Sequence, residues 1–213
     1  MENAISFLFP LAVLVFSVVL HEVSHGYVAN ALGDPTAKYA GRLTLNPIPH
    51  IDPVGSILVP LASWFLGGFV IGWARPVPYD PRNIRLRNTE FGAALIGAAG
   101  PGVNIAIALI FGLVIRFTDL WQNAVGAAAS PMLEIFVTIT IVNLFLAIFN
   151  LIPIPPLDGS KVLFWLLPGE WWQLRQALEQ YGFFILLFFI FALSNWIVPI
   201  VRAIFGAITG IPL

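Results

Sequence analysis

The stretch VVLHEVSHGYVANALGDP, residues 18–35, decides how the rest of the chain is read. It continues an apolar run that begins near Ile5 and ends at Gly33-Asp34-Pro35, a strong helix stop. As a helix, Ile5 to Leu32 is about 40 Å long, more than the ~30 Å hydrocarbon core of a bilayer. Yet His21, Glu22 and His25 stand inside this run, nearer its C-terminal end. An ionisable side chain at the centre of a membrane helix costs on the order of 2.5–3.5 kcal/mol on insertion scales, so it needs a partner or a function.

Residues four apart lie one above the other on one helix face, so His21 and His25 can bind a single zinc ion. Glu22, beside His21, can then reach a water on that ion and act as general base. The alternative is that the two histidines satisfy each other and nearby carbonyls without a metal, which leaves Glu22 unexplained. A catalytic zinc site also needs a third protein ligand and one open position. His50, in a loop beside Pro47 and Pro49, reads as a surface or lip residue, and Glu134 lies near the start of a span. Asp158 has the richer setting, NLIPIPPLDGS, in which prolines must break an apolar helix. Non-helical backbone at membrane depth is tolerated only where it packs on protein or lines a watery cavity, and a carboxylate there is a candidate ligand.

Composition agrees with a membrane setting. The 213 residues are 59% hydrophobic and only 10% charged, against roughly 25% charged in soluble domains. The net charge of −1 leaves no basic stripe for nucleic acid. Absence of cysteine excludes disulfides and thiolate ligands, so any metal site must use His, Asp or Glu. The first twenty residues lack Lys and Arg and run apolar past a typical signal-peptide core, which argues against a cleaved leader. Further apolar segments cover 55–73, 92–117, 131–152 and 182–201, with a shorter one at 158–167. The expected fold is an all-α polytopic membrane protein, with about five membrane helices around an intramembrane metal site and a short re-entrant or β-like segment. Residues 39–47, YAGRLTLNP, alternate as a strand or extended loop would, and 170–180, EWWQLRQALEQ, reads as a helix in the membrane interface. One domain over 1–213 is expected, with its core at 5–167 and interfacial and membrane helices at 170–209.

If Asp158 joins the histidines, both must lie at similar depth. A full crossing by 55–73 would put the motif and Asp158 nearer opposite faces, whereas a segment that dips in and returns brings them together. Pro60, Gly67 and Gly68 permit that re-entrant path. It gathers Lys38, Arg42, Arg75, Arg82, Arg85, Arg87, Lys161 and Arg175 on one side and leaves Arg116 and Arg202 on the other. By the positive-inside rule the crowded side, with the metal site nearer to it, is cytoplasmic.

HEVSH in the first helix, AGPGVN at 99–104 and NLIPIPPLDG at 150–159 together resemble the signatures of the site-2 protease family of intramembrane zinc metalloproteases, in order and spacing across most of the chain. The stretches GDPTAKYAGRLTLNP and GWARPVP are similar to its small prokaryotic branch without an added soluble domain. The resemblance implies Zn2+ on His21, His25 and Asp158, Glu22 as base, Asn150 holding the substrate or its oxyanion, and Asn104 supporting the site through helix packing. Gly100, Pro101 and Gly102 read as positions of close helix approach. It further implies peptide-bond hydrolysis in or near transmembrane segments of membrane-protein substrates, in a prokaryotic inner membrane. A substrate-presenting partner or homo-oligomer is left open. The rival readings are a metal-ion transporter using the HExxH helix, which should offer more polar ligands along a path, and an inactive scaffold. A di-iron hydroxylase would need more than the three histidines present.

Overall fold

The computed structural model describes residues 2–67, 72–126, 129–193 and 196–212. The first helix, α1 (Glu2–Ala31), carries through the histidine motif without interruption and stops where the sequence predicts. Gly33 adopts φ +105°, and the N–H groups of Gly33 and Asp34 turn back to the carbonyls of Asn30 and Ala29 at 3.1 and 2.9 Å. A left-handed residue just past the last turn satisfies carbonyls that would otherwise lack partners. A one-turn helix, α2 (Thr36–Tyr39), follows.

The expected strand at 39–47 is not adopted: Tyr39 ends α2, Gly41 turns at φ +66°, and the described residues contain no strand. The alternation misled because Arg42, expected to face outward, is buried and donates from its guanidinium to the Arg75 carbonyl at 2.5 Å. Leu45, expected inward, is exposed.

The segment after Asp52 forms a π-helical turn at Pro53–Leu58 and then α3 (Val59–Gly67). At nine residues, α3 is about 13 Å long, too short to cross a bilayer. The Trp73 N–H donates to the Gly55 carbonyl at 3.0 Å and Ser56 Oγ donates to the Trp73 carbonyl at 2.9 Å. The chain therefore comes back at 73 to the place it left at 55, as the re-entrant path requires; Gly68, invoked for it, lies outside the described residues.

Beyond these come α4 (Thr89–Arg116), α5 (Thr118–Val125), α6 (Ala129–Asn150), α7 (Gly159–Leu166), α8 (Trp172–Leu193) and α9 (Ile197–Thr209). The central helix is α4, which packs on α1, α6, α7 and α9. Its buried stripe is Gly92, Ile96, Gly100, Asn104, Ala108, Gly112 and Ile115, recurring at helical spacing and dominated by small residues. Without a hydrophobic drive between helices in lipid, such close backbone approach supplies the packing energy. Gly102 does not share this role: a Cβ there would meet nothing within 4 Å. Ala108, Ile115, Leu144, Ile197, Val201 and Phe205 close the core between α4, α6 and α9.

Among the described residues, four helical stretches are long and apolar enough to cross a membrane: Leu8–Ala31, Thr89–Arg116, Ala129–Asn150 and Gly169–Phe191. The protein is an all-α polytopic membrane protein, and the expected fifth span at 182–201 divides between α8 and the shorter α9. The expected interfacial helix at 170–180 is for the most part the beginning of α8. Arg175 pairs with Glu179 at 3.1 Å and with Glu90 at 2.5 Å, so the polar part continues as helix without a break.

Candidate metal centre

His21 and His25 lie one turn apart on α1, with ring centroids 4.7 Å apart and planes at 85°. Each imidazole is oriented through its Nδ1. His21 Nδ1 is 2.6 Å from Asn104 Oδ1, and His25 Nδ1 is 2.6 Å from the Ile96 carbonyl. Both partners are acceptors only, so both Nδ1 atoms carry a proton and donate. The Asn104 amide is fixed in that sense by a second asparagine. Asn104 Nδ2 donates to Asn143 Oδ1 at 2.8 Å and to the Ser17 carbonyl at 3.4 Å. Asn143 Nδ2 in turn donates to the Ile139 carbonyl at 2.9 Å and to Ser17 Oγ at 3.0 Å.

In the neutral imidazoles, then, both Nε2 lone pairs face the centre. Asp158 enters from the broken segment after α6, directly before α7, placing Oδ2 3.0 Å from His21 Nε2 and 3.1 Å from His25 Nε2. Three electron-pair donors turned on one another repel unless a cation or protons lie between them. The spacings approach the ~3.3 Å edge of a tetrahedral donor set with bonds of about 2.0 Å, so the residues present fit zinc. Glu22 also brings a ligand-capable oxygen into the group, within 4.8 Å of the two imidazoles. Its Oε2 accepts from the Val77 N–H at 2.9 Å.

The surroundings explain several sequence features. Gly100 leaves the room these groups need, since a Cβ there would lie 2.5 Å from Nε2 of both histidines. Gly159 passes the Leu151 backbone so closely that a Cβ would sit 2.2 Å from its carbonyl oxygen, which lets the proline-rich segment fold back. A cavity of about 140 Å³ opens on the site, walled by His21, Glu22, His25, Pro76, Val77, Tyr79, Ile96, Asn150, Pro156, Asp158 and Lys161.

Of the candidate residues, the fold brings His21, Glu22, His25, Asp158 and Asn150 to this cavity. Asn150 Nδ2 donates to the Leu146 carbonyl at 2.9 Å. Asn104, which the resemblance gives a supporting place in the helix packing, is fully buried behind His21 and is not part of the cavity wall; its contact is with the imidazole. His50 is neither lip nor ligand: it is buried, its Nε2 donates to the Thr44 carbonyl at 3.0 Å, and it lies off the cavity wall. Glu134 is exposed at the start of α6.

Sequence reasoning missed Asn143, Lys161, Asp34 and the Val77 amide. Asn143 sits in an apolar helix without a motif around it, and a main-chain donor leaves no trace in a sequence. Asp34 was read only as part of a helix stop. It is fully buried, and its carboxylate accepts from the Thr36 and Asp80 N–H groups, the Thr36 hydroxyl and the Asn83 amide at 2.5–3.1 Å. Burial raises its pKa, but these donors outweigh burial and hold the carboxyl below its ordinary value. Asp34 thereby anchors one end of the segment whose Val77 meets Glu22. The other end is held by the Arg75 N–H on the His50 carbonyl at 2.9 Å.

Comparison with known proteins places this arrangement. The model of the family "Peptidase family M50" matches residues 9–193, and the chain belongs to that family. The chain is 40% identical over 194 residues to a Bacillus subtilis protein named "Putative zinc metalloprotease YwhC", covering 89% of this chain and 84% of that one. It is 30% identical over 198 residues to "Putative zinc metalloprotease Rip2" of Mycolicibacterium smegmatis, covering 92% and 72% of the two chains. It is 29% identical over 177 residues to "Zinc metalloprotease MJ0392" of Methanocaldococcus jannaschii, covering 83% of this chain but 40% of that one. No solved structure matches. The chain is an integral membrane zinc metalloprotease with Zn2+ as its cofactor, which decides against the metal-transporter reading of the same motif.

Proposed function

We propose that this metalloprotease hydrolyses peptide bonds in or near transmembrane segments of membrane proteins, and that the whole chain acts as one catalytic domain. The observation that carries the reading is the convergence of His21, His25 and Asp158 within 3.1 Å inside a helix bundle. His21 and His25 stand about 15 Å and 9 Å before the end of α1, within the depth of a hydrocarbon core. A bond cut there must belong to a chain that is itself in the membrane.

In this reading His21, His25 and Asp158 hold the zinc, and Glu22 is the general base. Zinc, when bound, supplies Lewis-acid polarisation of water and of the peptide carbonyl. Glu22 takes the proton released as water adds to the carbonyl carbon and returns it to the leaving amine as the C–N bond breaks. The Val77 N–H on Oε2 keeps that carboxylate turned into the cavity. Asn150, on the same wall, is placed to bind the substrate or the developing oxyanion. The cavity is too narrow for a folded helix, whose diameter is about 10 Å, so the substrate must be unwound at the cut and residues that weaken helices should favour cleavage.

The charge distribution supports a site nearer the cytoplasmic side of a prokaryotic inner membrane. Lys38, Arg42, Arg75, Arg82, Arg85, Arg87 and Lys161 follow or adjoin the ends of helices that carry the site. Single-cysteine variants are clean probes because the chain has no cysteine of its own. Labelling of residue 82 or 87 from the outer face would overturn the orientation. The activity is tested by incubating purified protein in detergent with a single-span substrate. Zinc-dependent cleavage within the span is expected, and cleavage confined to soluble peptides would sink the reading.

A further inference from the structure

The two oxygens of Asp158 have different partners. Oδ2 faces the imidazoles, at 3.0 and 3.1 Å from their Nε2 atoms, and Oδ1 accepts from Lys161 Nζ at 2.9 Å. Lys161 lies three residues on, in the first turn of α7, on the same side as the carboxylate. Exposed pairs at this spacing contribute little, but Asp158 is only 7% exposed. The lysine is also held along its length. Its stem runs over Gly97 of α4, where a Cβ would lie 2.9 Å from Lys161 Cδ and 3.0 Å from Lys161 Cβ, and its ammonium sits 5.6 Å from the centroid of Tyr79.

We propose that Lys161 is a positioning residue that restricts Asp158 to one oxygen at the metal and so keeps the position for water open. The inference rests on the zinc-protease reading above. A carboxylate can ligate through one oxygen or through both, and a modest rotation exchanges the two modes. With both histidines and both carboxylate oxygens bound, the protein alone would fill a four-coordinate site, whereas catalytic zinc needs a vacant position. The charge-assisted bond from Nζ opposes that rotation. Gly97 and Tyr79 serve the same end by fixing where the ammonium can be. Lys161 acts through Asp158 and needs no contact with the substrate.

Cobalt(II) reports the difference directly, because its visible bands are intense in a four-coordinate site and weaken when a further ligand joins. Wild-type protein in detergent, loaded with cobalt, should show the four-coordinate spectrum from the three protein ligands and water. In Lys161→Met the second carboxylate oxygen either joins the water, which weakens the bands, or displaces it, which shifts them without loss of intensity, and competition with a chelator should show zinc affinity changed about 10- to 100-fold. Lys161→Arg, which keeps the donor, should restore much of both. Gly97→Ala keeps the lysine but crowds its stem, and the Asp158 carbonyl at 3.1 Å, and should also move the spectrum. Circular dichroism and gel filtration establish which variants are folded. Folded Lys161→Met or Gly97→Ala protein with wild-type spectrum and zinc affinity would overturn the role of Lys161 while leaving the metal centre intact. Wild-type protein that takes up neither cobalt nor zinc would overturn the metal-centre reading, and this inference with it.

Discussion

His21 and Glu22 are neighbours in the chain, yet they are held in different ways. His21 is backed by side chains of three helices, Ser17 of α1, Asn104 of α4 and Asn143 of α6, all buried and hydrogen-bonded to one another. Glu22 is held by one main-chain N–H on an extended segment between Pro76 and Pro78. Helix side chains give the metal donors a fixed direction, set by packing that cannot change without unfolding the bundle. Glu22, the proposed base, instead depends on a segment tied by the His50 carbonyl and the Arg42 guanidinium at one end and by Asp34 at the other.

The comparison breaks most sharply at Gly100. Gly100→Ala puts a methyl 2.5 Å from both Nε2 atoms, so stoichiometric zinc should be lost and proteolysis abolished; metal analysis of purified protein checks this. Asp158→Ala should do the same by removing the proposed third ligand. Glu22→Gln separates the two halves. Zinc content should stay at the wild-type level while the cleavage rate falls on the order of 10²- to 10⁴-fold, and loss of zinc in this variant would show that Glu22 belongs to the metal side instead.

A smaller effect is expected within the web. Asn143→Leu leaves the Asn104 amide without its partner and frees Asn104 to flip, so its N–H₂ can face the protonated Nδ1 of His21. Stability should fall by about 1–3 kcal/mol, and zinc affinity should fall about 10- to 100-fold, measured by chelator competition on the folded variant. Asn143→Asp should recover part of the affinity because an oxygen again faces Asn104.

The smallest effect lies at the loop anchor. The folded-state pKa of Asp34 is below its ordinary value, so its stabilisation is fully present above the unfolded-state pKa of about 3.9 and is lost as pH falls through the folded value. Asp34→Asn should therefore destabilise the protein by about 1–3 kcal/mol near neutral pH. The gap to wild type should close at strongly acidic pH. Thermal unfolding in detergent at the two extremes measures it, and a gap that widens on acidification would contradict the hydrogen-bonded carboxylate.

Much of this was legible in the residues. The apolar lengths predicted helices where α1, α4 and α6 stand, because a bilayer imposes a minimum span and forbids unpaired backbone. Alternation at 39–47 failed because a period of two says which residues share a face only if the backbone is extended, and Gly41 and the buried Arg42 turn it away. The helix read at 170–180 forms, and from Trp172 it runs on into the apolar part of α8 as one element, with Arg175 paired to Glu90 and Glu179.

The sequence by itself determined the chemistry. Three histidines, no cysteine and HExxH in an apolar run leave few ways to build a metal site, and residues four apart must share a helix face. Only the tertiary structure decided which carboxylate lies beside them, which nitrogen of each imidazole is free, and what holds Glu22. Those answers come from groups 71 to 137 residues apart in the chain, Ile96, Asn104 and Asp158 around two histidines, and from the Val77 N–H at Glu22. Main-chain donors and acceptors are the same at every position, so nothing in their residue types announces them; packing alone brings them to the site.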